Sequence, residues 1–262
     1  MKPCLILLLL ICLAPGATMA QPSVLKNVGI DQHLGASVPL DLVFHDEAGQ
    51  DVRLADLVHG RPVLLMMVYY RCPMLCTMSL NQLARSMNVL SESAGEKFDV
   101  ITVSIDPKET PQLAAEKKKT YLTMYRRPTA SAGWHFLTGS QESISALASA
   151  VGFRYAWDPE VKQFAHATAL MVLTPKGTVS RYFLGIEFPP DELRLAMNQA
   201  SVGSLGPQAE QVFLYCFHYD PTTGKYGLII NRAIRAGGVL TLLALASLIL
   251  FNVRRERRAS LR

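Results

Sequence analysis

Apolar residues are distributed along the chain in a pattern that predicts a buried sheet. Residues 62–70 (PVLLMMVYY) and 98–105 (FDVITVSI) are almost continuously apolar, as is typical of strands buried on both faces. Residues 169–173 and 178–183 are also strand-like, and the intervening Pro175-Lys176-Gly177 is a turn signal. The last two segments are therefore expected to form a hairpin.

Helical periodicity alternates with these strands. Residues 37–44 alternate apolar and polar side chains as a half-exposed strand does, and a short strand is expected near 52–54. The apolar spacing predicts four helices, over residues 77–93, 106–125, 141–150 and 189–200. Asp106 followed by Pro107 is expected to be the N-cap of the second helix. A role for Asp106 in orienting a functional loop is the alternative.

This order of elements predicts an α/β fold, with a mixed sheet and helices on its faces. A pair of cysteines, Cys72 and Cys76, lies where the first buried strand meets the first long helix. A cysteine pair at that junction indicates the thioredoxin-like class.

Both ends of the chain have the character of membrane-targeting segments. Residues 1–20 combine Lys2, an apolar stretch and small residues at a cleavage position, as a secretory signal peptide does. Residues 236–253 form an uncharged run of 18 residues, followed by the basic tail 254–262. As a helix this run would be about 27 Å long, which nearly matches a hydrocarbon core of about 30 Å. A buried core helix is the alternative interpretation.

The expected organisation is therefore an exported domain tethered at its C-terminus. The tail would remain in the cytoplasm by the positive-inside rule, and the domain would lie on the periplasmic or extracytoplasmic side. The segments are a signal peptide (1–20), the thioredoxin-like domain (21–200), a linker and pre-membrane segment (201–235), a transmembrane helix (236–253) and a basic cytoplasmic tail (254–262).

Charge and cysteine content narrow the classes of function. Lys2 and the residues 254–262 account for the whole formal net charge of +5, so the body of the chain has no net charge that would attract nucleic acid. Of the 5 cysteines, removal of the signal peptide would leave Cys72, Cys76 and Cys216. An odd number of cysteines in an exported chain argues against a disulfide scaffold.

The pair Cys72 and Cys76 is the first candidate for chemistry. At the start of a helix, the backbone N–H groups and the helix dipole stabilise a thiolate. If the segment is helical, positions i and i+4 lie on one face and both sulfur atoms point to one place. Two thiolates require a further donor to hold a soft cation, whereas a static disulfide is the alternative.

His166 is the candidate for that further donor. It precedes the hairpin strand 169–173, and in a thioredoxin-like fold the loop before that strand faces the cysteine loop. Two thiolates and one imidazole suit copper, Cu(I) especially, whereas a structural zinc site would require a fourth ligand. An ordinary hydrogen-bonded histidine is the alternative.

The combination of motifs resembles the Sco/SenC family of copper chaperones over about residues 35–200. The resemblance rests on the segments YYRCPMLCTMSL, VSIDPKETP, WHFLTG and FAHATALMVLTPKGTVSRYF. It implies that Cys72, Cys76 and His166 are the copper ligands and that the two cysteines cycle between dithiol and disulfide. The implied partner is the copper subunit of respiratory cytochrome c oxidase, with a thioredoxin-like reductant or a copper donor as a further partner.

This sequence departs from the commonest pattern of that family at two positions. Met74 stands where an acidic residue is usual within the cysteine loop, and Thr77 stands where a proline usually follows it. Members of the family are more often anchored by an N-terminal helix, so a C-terminal anchor indicates a subgroup.

Cys216 and His218 form a second, weaker candidate site. In an extended chain these two residues would point to the same side and could hold a second metal, pass copper along or supply a resolving thiol. An aromatic pre-membrane stretch is the alternative.

Two functions follow from these residues. The first is a membrane-tethered copper chaperone that delivers copper to a respiratory oxidase. The second is a thiol–disulfide oxidoreductase that reduces partner cysteines without carrying metal. His166 discriminates between them, because only the metal carrier requires an imidazole ligand.

Overall fold

The structure is a computed structural model that describes residues 27–58, 60–72, 75–160, 162–209, 219–220, 225–226 and 228–259. Its strands are β1 (Gly29–Ile30), β2 (Val43–His45), β3 (Asp51–Arg53), β4 (Val63–Val68), β5 (Asp99–Ser104), β6 (Trp134–Leu137), β7 (Phe153–Asp158), β8 (Gln163–His166), β9 (Ala169–Leu173), β10 (Val179–Leu184), β11 (Tyr219–Asp220) and β12 (Lys225–Tyr226). Its helices are α1 (Leu54–Leu57), α2 (Leu75–Val89), α3 (Pro111–Tyr125), α4 (Ala130–Gly133), α5 (Gln141–Ala150), α6 (Pro190–Ser201) and α7 (Leu228–Ala259).

The central sheet is mixed, with the strand order β10-β9-β4-β5-β6. Strands β4, β5 and β6 are parallel, whereas β9 is antiparallel to β4 and β10 is antiparallel to β9. Strands β1, β7 and β8 form a separate three-stranded sheet. Because the parallel strands all end at one edge of the central sheet, the loops that follow β4 and β5 lie side by side there.

Two hydrophobic layers cover the central sheet, one on each face. Alternate side chains of β4 point to opposite faces, so Leu64 and Met66 belong to one layer, and Leu65 and Met67 to the other. The first layer is completed by α2, α3 and α6, and the second by α5 and the N-terminal strands. The expected α/β architecture is confirmed, and the continuous apolar runs are explained by burial on both faces.

Strand β4, strand β5, helix α5 and the β9–β10 hairpin match the sequence predictions closely. The predicted strand 37–44 is wrong over most of its length, since only Val43–His45 pairs as a strand, with Asp51–Arg53. Val38 instead donates its N–H to Gly177 O at 2.9 Å, and Ser37 forms an isolated bridge with Thr178. Pro39 has no N–H to continue that pairing, so the ladder stops.

The N-cap prediction for Asp106 is also wrong. Helix α3 begins at Pro111, and the side chain of Thr110 accepts the N–H of Leu113 as its N-cap. The Asp106 carboxylate instead accepts the N–H of Lys108 at 2.9 Å and closes a turn before the helix. Thr110 followed by Pro111 satisfies the same capping rule as Asp106 followed by Pro107, which is why the pattern did not decide between them.

The C-terminal part of the described chain is helical. Helix α7 contains the apolar run 236–253, and the described side chains of that run are exposed. Within the described residues, no helix combines the length and the apolar composition that crossing a membrane requires. Residues 1–20, the expected signal peptide, lie outside the described residues.

Candidate metal centre

Three elements bring Cys72, Cys76 and His166 together at the edge where the parallel strands end. Cys72 follows β4 in the loop of residues 69–72, which we call the Cys72 loop, and Cys76 is the second residue of α2. His166 is the last residue of β8, not part of a loop as the sequence analysis expected. The two sulfur atoms and a ring nitrogen of His166 all lie within 4.8 Å of one another.

Cys76 and His166 are in direct contact. The distance from Cys76 Sγ to His166 Nε2 is 2.9 Å. The other ring nitrogen, Nδ1, lies 2.8 Å from the carbonyl oxygen of Ala167. Because a carbonyl oxygen can only accept, Nδ1 carries a proton, and the lone pair of the neutral ring is therefore on Nε2, facing the sulfur. A backbone carbonyl that fixes the second nitrogen in this way is common among metal-ligating histidines.

The centre is buried, and no disulfide joins Cys72 to Cys76. Cys72, Cys76 and His166 are 6%, 2% and 1% exposed, respectively. The His166 ring packs against Phe153, with the ring centroids 6.0 Å apart. Burial weakens competition from water, so a soft cation at this position would interact mainly with the protein donors.

The position of Cys76 within α2 favours its thiolate. It lies in the first turn, where backbone N–H groups without helical partners and the helix dipole stabilise negative charge. The Thr77 hydroxyl donates to Cys72 O at 3.2 Å and ties the start of the helix to the Cys72 loop. Thr77 thus contributes a contact that joins the two cysteine-bearing segments.

A buried carboxylate lies beneath the Cys72 loop. Glu109 accepts the N–H of Tyr70 at 2.9 Å and the N–H of Arg71 at 2.7 Å. The Ser104 hydroxyl donates to the same carboxylate at 2.6 Å. Burial raises the pKa of Glu109 above its usual range, and these three hydrogen bonds oppose that shift.

Two tyrosines next to the cysteines also have raised pKa values. Burial raises the pKa of Tyr121 to about 12, and negative charge on Cys76 acts in the same direction. Burial also raises the pKa of Tyr69, with a further contribution from the charges of Asp106 and Glu109. Both phenols therefore remain neutral at physiological pH beside the cysteines.

The donor set fits a soft, low-coordinate metal ion. It consists of two thiol sulfurs and one imidazole nitrogen, and among the described residues no fourth His, Cys, Asp or Glu joins the group. Thiolate and imidazole are preferred by Cu(I), whereas a closed structural zinc site has four protein ligands. The arrangement can also support thiol chemistry, because a neutral imidazole nitrogen lies next to a thiol.

The structure brings together the three residues of the first predicted site but does not test the second. Cys216 and His218 lie outside the described residues, as does Met74. The sequence analysis missed Glu109. This residue lies in the segment DPKET, and nothing in that segment indicates a contact with the Cys72 loop. Its contact with Tyr70 spans 39 positions of the chain, so only the tertiary structure reveals it.

Comparison with known proteins is consistent with this geometry. A curated Stutzerimonas stutzeri protein with the provisional name copper-binding protein is 28% identical over 181 residues, covering 67% of this chain and 83% of the relative.

Two solved structures share the fold. Arabidopsis thaliana ScoI, with copper bound, has a TM-score of 0.51 at 20% identity over 63% of this chain and 99% of its own. BsSco, described with a disulfide switch as a member of the Sco family of cytochrome c oxidase assembly proteins, has a TM-score of 0.50 at 23% identity over 67% and 99%. At these identities the structural likeness establishes the thioredoxin-like Sco fold.

The family assignment comes from the sequence itself. The SCO1/SenC family model matches residues 32–222, which is most of the chain and includes Cys72, Cys76 and His166. The chain therefore belongs to the SCO1/SenC family.

Proposed function

We propose that this protein is a copper chaperone that binds Cu(I) through Cys72, Cys76 and His166 and delivers it to the copper subunit of a respiratory cytochrome c oxidase. The observation that carries the proposal is the buried cluster of two sulfurs and one imidazole nitrogen within 4.8 Å. The provisional name of the Stutzerimonas stutzeri relative, copper-binding protein, and the oxidase-assembly role described for the family of BsSco support it.

Redox cycling of the two cysteines is part of the proposed mechanism. Cu(I) binds the dithiol form, and oxidation to a Cys72–Cys76 disulfide removes two ligands and two electrons from the pair. The electrons pass to a disulfide in a partner protein, which takes up two protons and becomes a dithiol, while copper leaves as Cu(I). The redox state of the pair thus determines whether copper is held or released, and a thioredoxin-like reductant restores the dithiol before a copper donor reloads it.

A thiol–disulfide oxidoreductase that carries no metal is the second candidate. The 2.9 Å contact between Cys76 Sγ and His166 Nε2 favours it, since an imidazole can take the thiol proton and produce a nucleophilic thiolate. The convergence of two sulfurs and one imidazole nitrogen within 4.8 Å favours the copper chaperone, because disulfide exchange alone does not require three metal-binding atoms at one point.

The test is a Cu(I) titration of the full-length protein in mild detergent against a chromophoric Cu(I) chelator, without oxygen. The reduced protein is expected to take up a single Cu(I) ion per chain and to compete with the chelator. The disulfide form is expected to bind at least about a hundredfold more weakly, since it has lost two ligands. Equal binding by the two forms, or no tight binding by the reduced form, would contradict the proposal.

We also propose that the apolar run 236–253 anchors the domain to a membrane, with the domain on the periplasmic side. Its support is the absence of charge within the run and the RRERR sequence directly after it. After expression in a bacterial host, the full chain is expected to remain in the membrane pellet during alkaline carbonate extraction. Release into the supernatant would exclude an integral anchor, and a matched chain that ends at residue 209 serves as the extractable control.

A further inference from the structure

We propose that Glu109 is a positioning residue for copper binding, which acts by fixing the backbone that presents Cys72. The inference rests on the proposed copper site and adds a residue that contacts no metal itself. Its basis is the set of hydrogen bonds between the Glu109 carboxylate and the Cys72 loop.

The two oxygen atoms of Glu109 bind successive peptide groups. Oε2 accepts the N–H of Tyr70 at 2.9 Å, and Oε1 accepts the N–H of Arg71 at 2.7 Å. These peptide groups directly precede Cys72. The N–H of Cys72 in turn donates to Tyr69 O at 3.0 Å, which closes the loop into a tight turn. The carboxylate and this turn together set the direction in which the Cys72 side chain leaves the backbone.

Glu109 is itself held in place from the neighbouring strand. The Ser104 hydroxyl at the end of β5 donates to Oε2 at 2.6 Å, and the Glu109 N–H donates to Asp106 O at 3.0 Å. The residue is only 4% exposed, so water does not readily replace the carboxylate as the acceptor for the loop. Glu109 therefore links the carboxyl end of β5 to the loop that follows β4.

The role requires two acceptor atoms, which distinguishes a carboxylate from its amide. In Glu109→Gln one oxygen becomes an NH2 group, which cannot accept from a backbone N–H. In either orientation of the amide, the N–H of Tyr70 or of Arg71 then faces a donor. The volume of the side chain hardly changes, so the substitution acts on the loop and creates no cavity.

The experiment compares Cu(I) affinity in wild type, Glu109→Gln, Glu109→Asp and Glu47→Gln, with the full-length protein reduced and oxygen excluded. Glu47 is the matched control, because its carboxylate accepts the N–H of Phe136 at 2.6 Å and pairs with Lys118, at the edge strand β6. Glu109→Gln is expected to bind Cu(I) about tenfold more weakly, as loss of one charge-assisted hydrogen bond would produce. Glu47→Gln should match wild type.

Glu109→Asp provides the conservative comparison. It keeps two acceptor oxygens on a shorter side chain and should bind Cu(I) more tightly than Glu109→Gln. An aspartate variant as weak as the glutamine variant, or a glutamine variant with unchanged affinity, would overturn the proposal.

Hydrogen exchange of backbone amides in the copper-free wild-type protein tests the contact between Glu109 and the Cys72 loop without a variant. In wild type, the amides of Tyr70 and Arg71 are expected to exchange slowly because both donate hydrogen bonds to the buried Glu109 carboxylate. Rapid exchange of these two amides in wild type would overturn the proposal even if Glu109→Gln did not fold. In a folded Glu109→Gln variant, their exchange should accelerate while that of strand β9 stays unchanged.

The results separate this proposal from the proposed function. If wild type binds Cu(I) tightly and Glu109→Gln binds it equally tightly, the copper site stands and the positioning role fails. If reduced wild type does not bind Cu(I), the proposed function fails, and the exchange measurement still reports whether Glu109 orders the Cys72 loop.

Discussion

Replacement of Cys72 or Cys76 by serine is expected to lower the Cu(I) affinity of the reduced protein by more than about a hundredfold. Mutation of a residue that hydrogen-bonds to a metal ligand typically lowers metal affinity about 10- to 100-fold, and loss of the ligand itself lowers it further. Serine provides a hard, neutral hydroxyl where Cu(I) prefers a soft thiolate. Competition with a chromophoric Cu(I) chelator measures the effect in each variant.

Met78→Leu is the matched control for the two cysteine variants. Met78 carries a sulfur on the same helix, two positions after Cys76, and is 50% exposed. Because a thioether at the surface is not part of the buried cluster, the leucine variant should bind Cu(I) as wild type does. Tight binding retained in Cys72→Ser and Cys76→Ser would show that copper is held elsewhere.

Replacement of His166 by alanine is expected to reduce Cu(I) affinity by about a hundredfold or more while leaving the dithiol able to form a disulfide. Among the three candidate ligands that the structure places together, the imidazole supplies the one nitrogen and the cysteines supply two sulfurs. Its loss leaves two thiolates, which can hold Cu(I) only at low coordination. Thiol titration before and after treatment with an oxidised dithiol compound measures the remaining redox chemistry.

This variant separates the two candidate functions. If the protein is a copper chaperone, His166→Ala loses tight Cu(I) binding. If it is an oxidoreductase without metal, His166→Ala has the same Cu(I) affinity as wild type. Its rate of thiol–disulfide exchange then falls, because the imidazole no longer takes the thiol proton. His45→Ala is the control, since that histidine is exposed and pairs with Asp51 in the β2–β3 hairpin. Unchanged Cu(I) affinity in His166→Ala would contradict the assigned ligand set.

Much of the sheet and of the helix positions could be predicted from the sequence, because burial imposes clear patterns there. Strand β4 is buried on both faces and is continuously apolar, and α5 has the spacing of an amphipathic helix. Strands β6, β7 and β8 were missed. Trp134–Leu137 and Gln163–His166 have 4 residues each, which is too short for a periodic signal.

The small sheet that carries His166 depends on contacts between distant segments. Strand β7 mixes buried, half-buried and exposed positions and pairs on one side with the two-residue strand β1. Pairing of Tyr155 with His166 sets the position of the histidine at the end of β8. No local pattern in either strand encodes that pairing, so the sequence analysis placed His166 in a loop.

In the candidate site, too, some residues could be predicted from the sequence and others could not. The spacing of Cys72 and Cys76 at a strand–helix junction marks them in the sequence, and the position of His166 before the hairpin strand marks it as a candidate, which the family resemblance supports. The hydrogen bond from His166 to Ala167 O is a local consequence of backbone geometry that sequence cannot show. The role of Glu109 could not be predicted from the sequence either, because Tyr70 and Arg71 come close to Glu109 only when β4 and β5 pair.

X-ray absorption spectroscopy of the Cu(I)-loaded, reduced protein tests the central claim most directly, because it counts the atoms bound to copper by element. The site predicts two sulfur atoms and one imidazole nitrogen in the first coordination shell of wild type, with loss of the nitrogen in His166→Ala. A shell made of sulfur alone in wild type, or one of nitrogen and oxygen without sulfur, would contradict copper binding by Cys72, Cys76 and His166.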